Sequence, residues 1–245
     1  MKGNAHRQYR QGFYSFLNAE KLFTECLLKP TGDLEVEEMG LTLEKITAPS
    51  KLPRVTRGRL LEKLHKSLYS CTASIINGRA GTGKTLLAAD FAWGCGRNVA
   101  WFKVDSSDAN LENFIEYLTE SISRQRPVFN GQAARCLAET VTLEDVPVLA
   151  ERFAYDLQEH SVEPLLIVIE DLHLICDADW VAPFFTRLLP LLPTDVHMLI
   201  TCRSTLPFPL WRMRSKQMLF VIDEAELAFT REEAEDLLLS YGPGV

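Results

Sequence analysis

Gly78-Arg-Ala-Gly81-Thr-Gly83-Lys84-Thr85 follows directly on Cys71 to Asn77, a short apolar run that reads as a buried strand. The stretch fits the phosphate-binding pattern G-x-x-x-x-G-K-[ST], and its place between a strand and a helix predicts a nucleoside triphosphate ligand. Glycine at 78, 81 and 83 permits positive φ and close backbone approach, so successive N–H groups can turn inward around a phosphate as an anion nest. The cradle is expected from the backbone of Gly78, Ala80, Gly81, Thr82 and Gly83, with Lys84 adding a mobile positive charge. Thr85 opens the next helix, Thr85 to Trp93, whose N-terminus favours the anion and whose first hydroxyl is placed to ligate Mg²⁺. A plain glycine-rich turn is the alternative, and it needs neither the lysine nor the hydroxyl.

Composition narrows the reading. The chain has 245 residues, 47% of them apolar, with a net charge of −7. That length supports a full core in one large domain, and the acidic balance argues against a broad nucleic-acid surface. Cys26, Cys71, Cys95, Cys136, Cys176 and Cys202 are scattered, without C-x-x-C or zinc spacing, and read as buried thiols. The N-terminus has basic residues but no continuous apolar core or cleavage site, and no stretch approaches about 18 apolar residues. A cytoplasmic protein without a membrane partner is expected. No recognition helix is visible, so no direct DNA binding is expected of this chain.

Residues 1–49 differ from the rest. Tyr9, Phe13, Phe16, Leu17, Phe23 and Leu27 recur at near-helical spacing and predict an amphipathic helix as an N-terminal helical and linker extension. Residues 50–245 then alternate short apolar runs with amphipathic helices. Helices are expected over Arg59–Tyr69, from a cap at Asp108 through Ile122, over Leu143–Glu159, over Asp179–Leu192, and from the Thr230-Arg-Glu-Glu233 capping box to Leu239. Strands are expected at Thr72–Asn77, Asn98–Asp105, Leu165–Glu170, Val196–Cys202 and Gln217–Ile222. Such alternation predicts an α/β fold with a parallel sheet, and right-handed crossovers bring the C-terminal ends of the first, third and fourth strands around one crevice.

Leu165-Leu-Ile-Val-Ile169-Glu170-Asp171 ends an apolar strand in two carboxylates, which is what a triphosphate site requires beside its phosphate loop. Side chains alternate along a strand, so both acids face the site only if the strand stops there and the chain turns. The reading gives Glu170 the magnesium and Asp171 the attacking water, while spacing alone leaves the reverse open. A solvated strand end is the competing reading of the pair. Arg203, at the end of the fourth strand, is positioned to reach a γ-phosphate, with a surface ion pair as its alternative. His173, two residues past the acids, either orients a water or is structural.

Taken in order, these residues resemble the STAND ATPases, in particular the nucleotide-binding domain of maltose-regulator-like, LuxR-type transcription activators. The resemblance covers about Lys51 to Leu239. It rests on Lys51-Leu-Pro-Arg54-Val55-Thr-Arg57-Gly-Arg59-Leu-Leu-Glu, the phosphate loop, Val99-Ala-Trp101, Leu111-Glu-Asn-Phe114, Ile169-Glu170-Asp171-Leu-His173, Thr201-Cys202-Arg203-Ser204 and Phe229-Thr230-Arg-Glu-Glu233. It implies a three-layer P-loop NTPase of the additional-strand type with strand order 5-1-4-3-2. It also implies an ATP/ADP switch with Mg²⁺, and it places Val55 and Arg57 against adenine and ribose. No guanine-type Asn/Thr-Lys-x-Asp motif is present. Two departures stand out: Glu170 occupies a position where the family usually has Asp, and the chain stops at Tyr241-Gly-Pro-Gly-Val245. In the family a helical lid, winged helix, sensor repeats and DNA-binding domain would follow there. The expected function is an ATP-binding, slowly hydrolysing switch domain of a transcription-regulator-like ATPase. Self-association or further C-terminal sensor domains are the implied partners. A non-catalytic nucleotide-binding scaffold is the alternative.

Overall fold

The computed structural model describes residues 42–50, 55–161 and 163–241. The expected helix over Tyr9 to Leu27, the Lys51–Arg54 end of the resemblance and Cys26 lie outside them. The described residues all belong to one compact unit. Residues 42–49, grouped with the extension on sequence grounds, belong to it: Ile46 enters the core, and Lys45 pairs with Asp108 at 2.7 Å and Asp105 at 3.0 Å.

Five short apolar runs make a single sheet: β1 (Ala73–Asn77), β2 (Asn98–Lys103), β3 (Leu165–Glu170), β4 (Val196–Cys202) and β5 (Leu219–Ile222). Every pair is parallel and the order is β2-β3-β4-β1-β5. This is the expected α/β sheet, its 5-1-4-3-2 order read from the opposite edge.

A sheet covered on both faces needs strands that are apolar at nearly every position, and β3 and β4 are buried throughout. Leu166 and Val168 pack against Leu60 and Leu64 of α1 (Gly58–Ser70) and Leu87 and Phe91 of α2 (Lys84–Gly94). The opposite face is covered by α3 (Leu111–Ser123), α4 (Gln132–Ala138), α5 (Val146–Glu159) and α6 (Val181–Leu188). There Leu165, Ile167 and Ile169 meet Phe114, Leu149, Phe153, Phe184 and Phe185.

Local chemistry moves several helix ends from where periodicity puts them. Asn110, not Asp108, caps α3 by accepting the Asn113 N–H. Asp108 instead closes a capping box with Asp105 around the 3-10 turn Ser106–Ala109. The helix expected from Leu143 starts as a 3-10 turn over Leu143–Asp145 and becomes α5 at Val146, with a proline in its first turn. Pro190 lacks an N–H, and the helix expected to reach Leu192 stops at Leu188 before a 3-10 turn over Leu189–Leu191. Three short helices, α4 after Gly131, α7 (Leu210–Ser215) and α8 (Glu224–Leu227), lie where none was expected. The last helix, α9 (Arg231–Leu239), opens on the Thr230–Glu233 capping box as expected.

Beneath α1 runs a buried polar chain. Ser67 Oγ lies 2.7 Å from Ser74 Oγ, which lies 2.9 Å from His197 Nε2, and His197 Nδ1 lies 3.1 Å from the Cys71 carbonyl. A carbonyl only accepts, so Nδ1 carries the proton and Nε2 accepts from Ser74. Burial pushes the imidazole down to about 4. The unfolded chain binds that proton near pH 6.5, so this contribution is complete above about 6.5 and is lost as pH falls toward 4. We expect roughly 2 kcal/mol of stability to disappear between pH 7.5 and pH 5 through this histidine. Buried Asp108 and Asp156, whose carboxyls are raised, act with the opposite sign. Urea unfolding at both pH values should therefore show a smaller acid loss in His197→Gln than in wild type, and equal losses would refute the assignment.

Candidate functional site

The loop between β1 and α2 needs its glycines for different reasons. Gly81 sits at φ +82° with open space around it, so only its backbone conformation demands glycine. Gly83 combines φ +79° with the Arg57 guanidinium, which would lie 2.9 Å from an added Cβ. Gly78, contrary to the sequence reading, has no positive φ; a Cβ there would meet Leu227 Cδ1 at 2.8 Å. Among the described residues, no N–H from Ala80 to Thr85 is donated to another backbone carbonyl. These six successive N–H groups at the start of α2 thus have no backbone acceptor among the described residues.

Lys84 is buried, and its Nζ donates to the Arg79 carbonyl at 2.8 Å. Burial, reinforced by the nearby Arg203, lowers its pKa. Its ammonium therefore lies across the loop it belongs to, held by a single neutral acceptor. The Thr82 hydroxyl donates to the same carbonyl at 2.9 Å.

Parity along β3 decides which acid reaches α2. Leu166 and Val168 face α1 and α2, and Glu170, two residues further, shares their side of the strand. Its Oε1 accepts the Thr85 hydroxyl at 2.5 Å, its Oε2 accepts the Trp101 indole N–H at 3.3 Å, and it is buried. Asp171 then turns the chain at φ +60°, its N–H held by Thr201 Oγ1 at 3.0 Å. The pair is thus no solvated strand end: the strand stops at Glu170 and the chain turns there, as the facing of both acids requires.

Arg203 follows β4, which lies between β1 and β3, so topology sets it between the loop and the acids. Its Nε lies 3.7 Å from Asp171 Oδ1, and His173 Nδ1 approaches the same oxygen at 3.7 Å. Burial lowers the His173 pKa, against the pull of Asp171. The ring's Nδ1 lies outside hydrogen-bond reach of any partner among the described residues.

Val55 and Arg57, which the resemblance sets against adenine and ribose, lie just ahead of α1, and the Arg57 guanidinium donates to the carbonyls of Thr82, Gly83 and Leu227. Val55 is half-buried. Trp101 and Thr201, which orient the two acids, were not singled out as site residues. For Trp101 a signal was available, because a buried indole seeks an acceptor and the neighbouring strand ends in a carboxylate.

The donors present suit a small hard cation. Thr85 Oγ1 and Glu170 Oε1 are adjacent oxygens, and Mg²⁺ is commonly held by one or two protein oxygens together with phosphates and water. Among the described residues no group of three or more His, Cys, Asp or Glu side chains forms a metal cluster, and such a site needs none. Burial pushes Cys202 up to about 12 and Cys176 up to about 11, so neither offers a thiolate at neutral pH.

No family model matches the chain. Among solved structures it is similar to the Walker-type ATPase PABY2304 of Pyrococcus abyssi, at 12% identity and a TM-score of 0.46, over 78% of this chain and 60% of that one. The chain therefore spans less than two thirds of that protein's length. No helix among the described residues is long and apolar enough to cross a membrane.

The Trp101–Glu170 contact yields a direct test. In a double-mutant cycle of Trp101→Phe with Glu170→Gln, read by urea unfolding, we expect a coupling of about 1 kcal/mol or more. A coupling near zero would mean that the indole does not hold the carboxylate.

Proposed function

We propose that the chain is an ATP-binding, slowly hydrolysing switch domain of a signal-transduction ATPase of the STAND type. The observation that carries the reading is the run of unspent N–H groups from Ala80 to Thr85 with the Lys84 ammonium lying across it. A polyphosphate offers those donors charged acceptors and offers Lys84 a stronger partner than the neutral Arg79 carbonyl.

In this reading Gly78, Ala80, Gly81, Thr82 and Gly83 line the phosphate cradle, and the main chain of the Val55–Arg57 segment lies toward adenine and ribose. Thr85 and Glu170 hold Mg²⁺, which when bound offsets charge on the β- and γ-phosphates. Asp171 orients the attacking water and takes its proton as the new P–O bond forms and the bond to the β-phosphate oxygen breaks. Arg203 stabilises charge on the phosphoryl group in transfer. The expected products are ADP and phosphate. Adenine nucleotide is the proposed ligand in the cytoplasm, with self-association or further sensor domains as the route by which the switch is read.

Glu170 also favours a second reading. Both of its oxygens are engaged by neighbours, one by Thr85 and one by Trp101, which suits a site that holds nucleotide as a structural cofactor without turning it over. Phosphate release separates the two, because turnover above background that requires Asp171 excludes the scaffold.

Calorimetry with Mg-ATP should show binding by the wild-type chain and at least a tenfold loss, about 1.4 kcal/mol, in Lys84→Ala. Unchanged affinity in that variant removes the nucleotide reading. Asp171→Asn should keep ATP affinity within about threefold while lowering phosphate release by about a hundredfold or more. Parallel loss of both would assign Asp171 to the fold.

A further inference from the structure

Arg57 is a buried cation whose hydrogen bonds go to neutral partners. Only 5% of the residue is exposed, yet its guanidinium donates to the carbonyls of Gly83 at 2.9 Å, Leu227 at 3.1 Å and Thr82 at 3.3 Å. Its central carbon lies 5.2 Å from the Phe229 ring centroid. Among the described residues, no carboxylate lies within ion-pair distance of it. Burying a charge on such terms is costly, so what the group contributes is geometry: a rigid fork that reaches several oxygens at once.

That geometry acts on the loop through the peptide plane. In a trans peptide the carbonyl and the following N–H point in opposite directions. With the Thr82 and Gly83 carbonyls drawn toward Arg57, the N–H groups of Gly83 and Lys84 are turned away from it. Those donors belong to the unspent set of the phosphate loop. Glycine at 83 is what admits the fork, because a Cβ there would sit 2.9 Å from it.

The other arm of the fork reaches the C-terminal segment. Leu227 ends α8 and Phe229 precedes α9. Leu227 also approaches the loop's first residue, leaving no room for a Cβ at Gly78. Arg59 holds the same segment without touching the loop: it pairs with Glu233 at 3.0 Å and donates to the carbonyls of Glu226 at 2.8 Å and Ala228 at 2.6 Å. Arg57 thus holds loop and segment from a buried position, its near neighbour serves the segment alone, and the loop's own Arg79 reaches the segment through an exposed ion pair with Glu224 at 2.5 Å.

We propose that Arg57 is a positioning residue that couples nucleotide occupancy of the Gly78–Thr85 loop to the seating of Asp223–Leu239, by holding the loop carbonyls and the segment with one guanidinium. The inference rests on the nucleotide reading above. Coupling of this kind is reciprocal: whatever draws the C-terminal segment off the loop weakens nucleotide binding by the factor with which nucleotide favours its seating.

The test uses the full chain and Mg-ADP as the probe. ADP affinity is read by calorimetry, and the seating of residues 231–239 by amide hydrogen exchange with and without saturating ADP. In wild type, ADP slows exchange across 231–239. Arg57→Lys keeps the charge and loses the fork; ADP affinity should fall by about tenfold or more, and saturating ADP should no longer slow that exchange. Arg59→Gln should exchange faster in the free protein and still be slowed by ADP.

Wild-type affinity in Arg57→Lys overturns the proposal while leaving the nucleotide reading intact. So does weakened affinity with full ADP-dependent protection of 231–239. Absence of ADP binding by the wild-type chain removes both. If Arg57→Lys does not fold, Phe229→Leu carries the test. Reduced ADP protection of 231–239 in that variant supports the coupling, and undiminished protection overturns it.

Discussion

Alternation of side chains across a strand is the constraint on which this site depends. β3 is buried on both faces, so its apolar residues are divided between two helical layers and the division cannot slip by one residue without inverting both cores. The register that puts Leu166 and Val168 under α1 and α2 also puts Glu170 on the side of Thr85. The core therefore fixes the position of a carboxylate that contributes little to it. The αL turn at Asp171 then brings the second acid round without asking it to share that face, and Thr201 on the adjacent strand holds the turn. A non-glycine residue in that conformation carries a backbone cost, which is tolerated where the surroundings secure it.

Two layers of arginine chemistry join the ends of the domain. Arg57 and Arg59 lie at the start of α1, and both find acceptors far along the chain, 170 and 174 residues away in the longest cases. The short helices after β5 bury little of their own surface, and α9 has no buried residue. Hydrogen bonds to these arginines, the Lys63–Glu226 and Arg79–Glu224 ion pairs and the Leu227 contact with the loop, more than apolar area, hold the segment. Such attachment suits an element of low local stability, the kind that moves when a site fills.

The sheet and its helices were legible because apolar periodicity and length separate buried parallel strands from amphipathic helices, and Leu165–Glu170 and Val196–Cys202 form the expected strands without adjustment. Helix ends were less legible, since Asn110 and Asp108 are equally good caps in sequence and only packing of Asp108 against Lys45 separates them. The Gly78–Thr85 turn between β1 and α2 could be read because its residues are contiguous. The contacts of Arg57 and Thr201 could not, because what each does is set by partners on another strand or at the far end of the chain, whereas the indole of Trp101 left a signal in the carboxylate that ends the neighbouring strand. Gly78 shows the limit at a single residue: its φ is not positive, and the steric contact with Leu227 that demands glycine there is invisible to a local pattern.

The two acids, adjacent in sequence, sit in surroundings that suit them to different work. Glu170 is fully enclosed and both its oxygens already have donors at fixed positions, so it is a rigid group whose oxygen next to Thr85 can be offered to a cation without reorganisation. Among the described residues the Asp171 carboxylate has only looser neighbours at 3.7 Å, the Arg203 guanidinium and the His173 imidazole. That carboxylate is therefore less committed to neighbours than that of Glu170. The extra methylene of Glu170 fits the same picture. At the last residue of a strand, a longer side chain extends the carboxylate across to the first turn of α2, and the indole of Trp101 fixes where that extension stops.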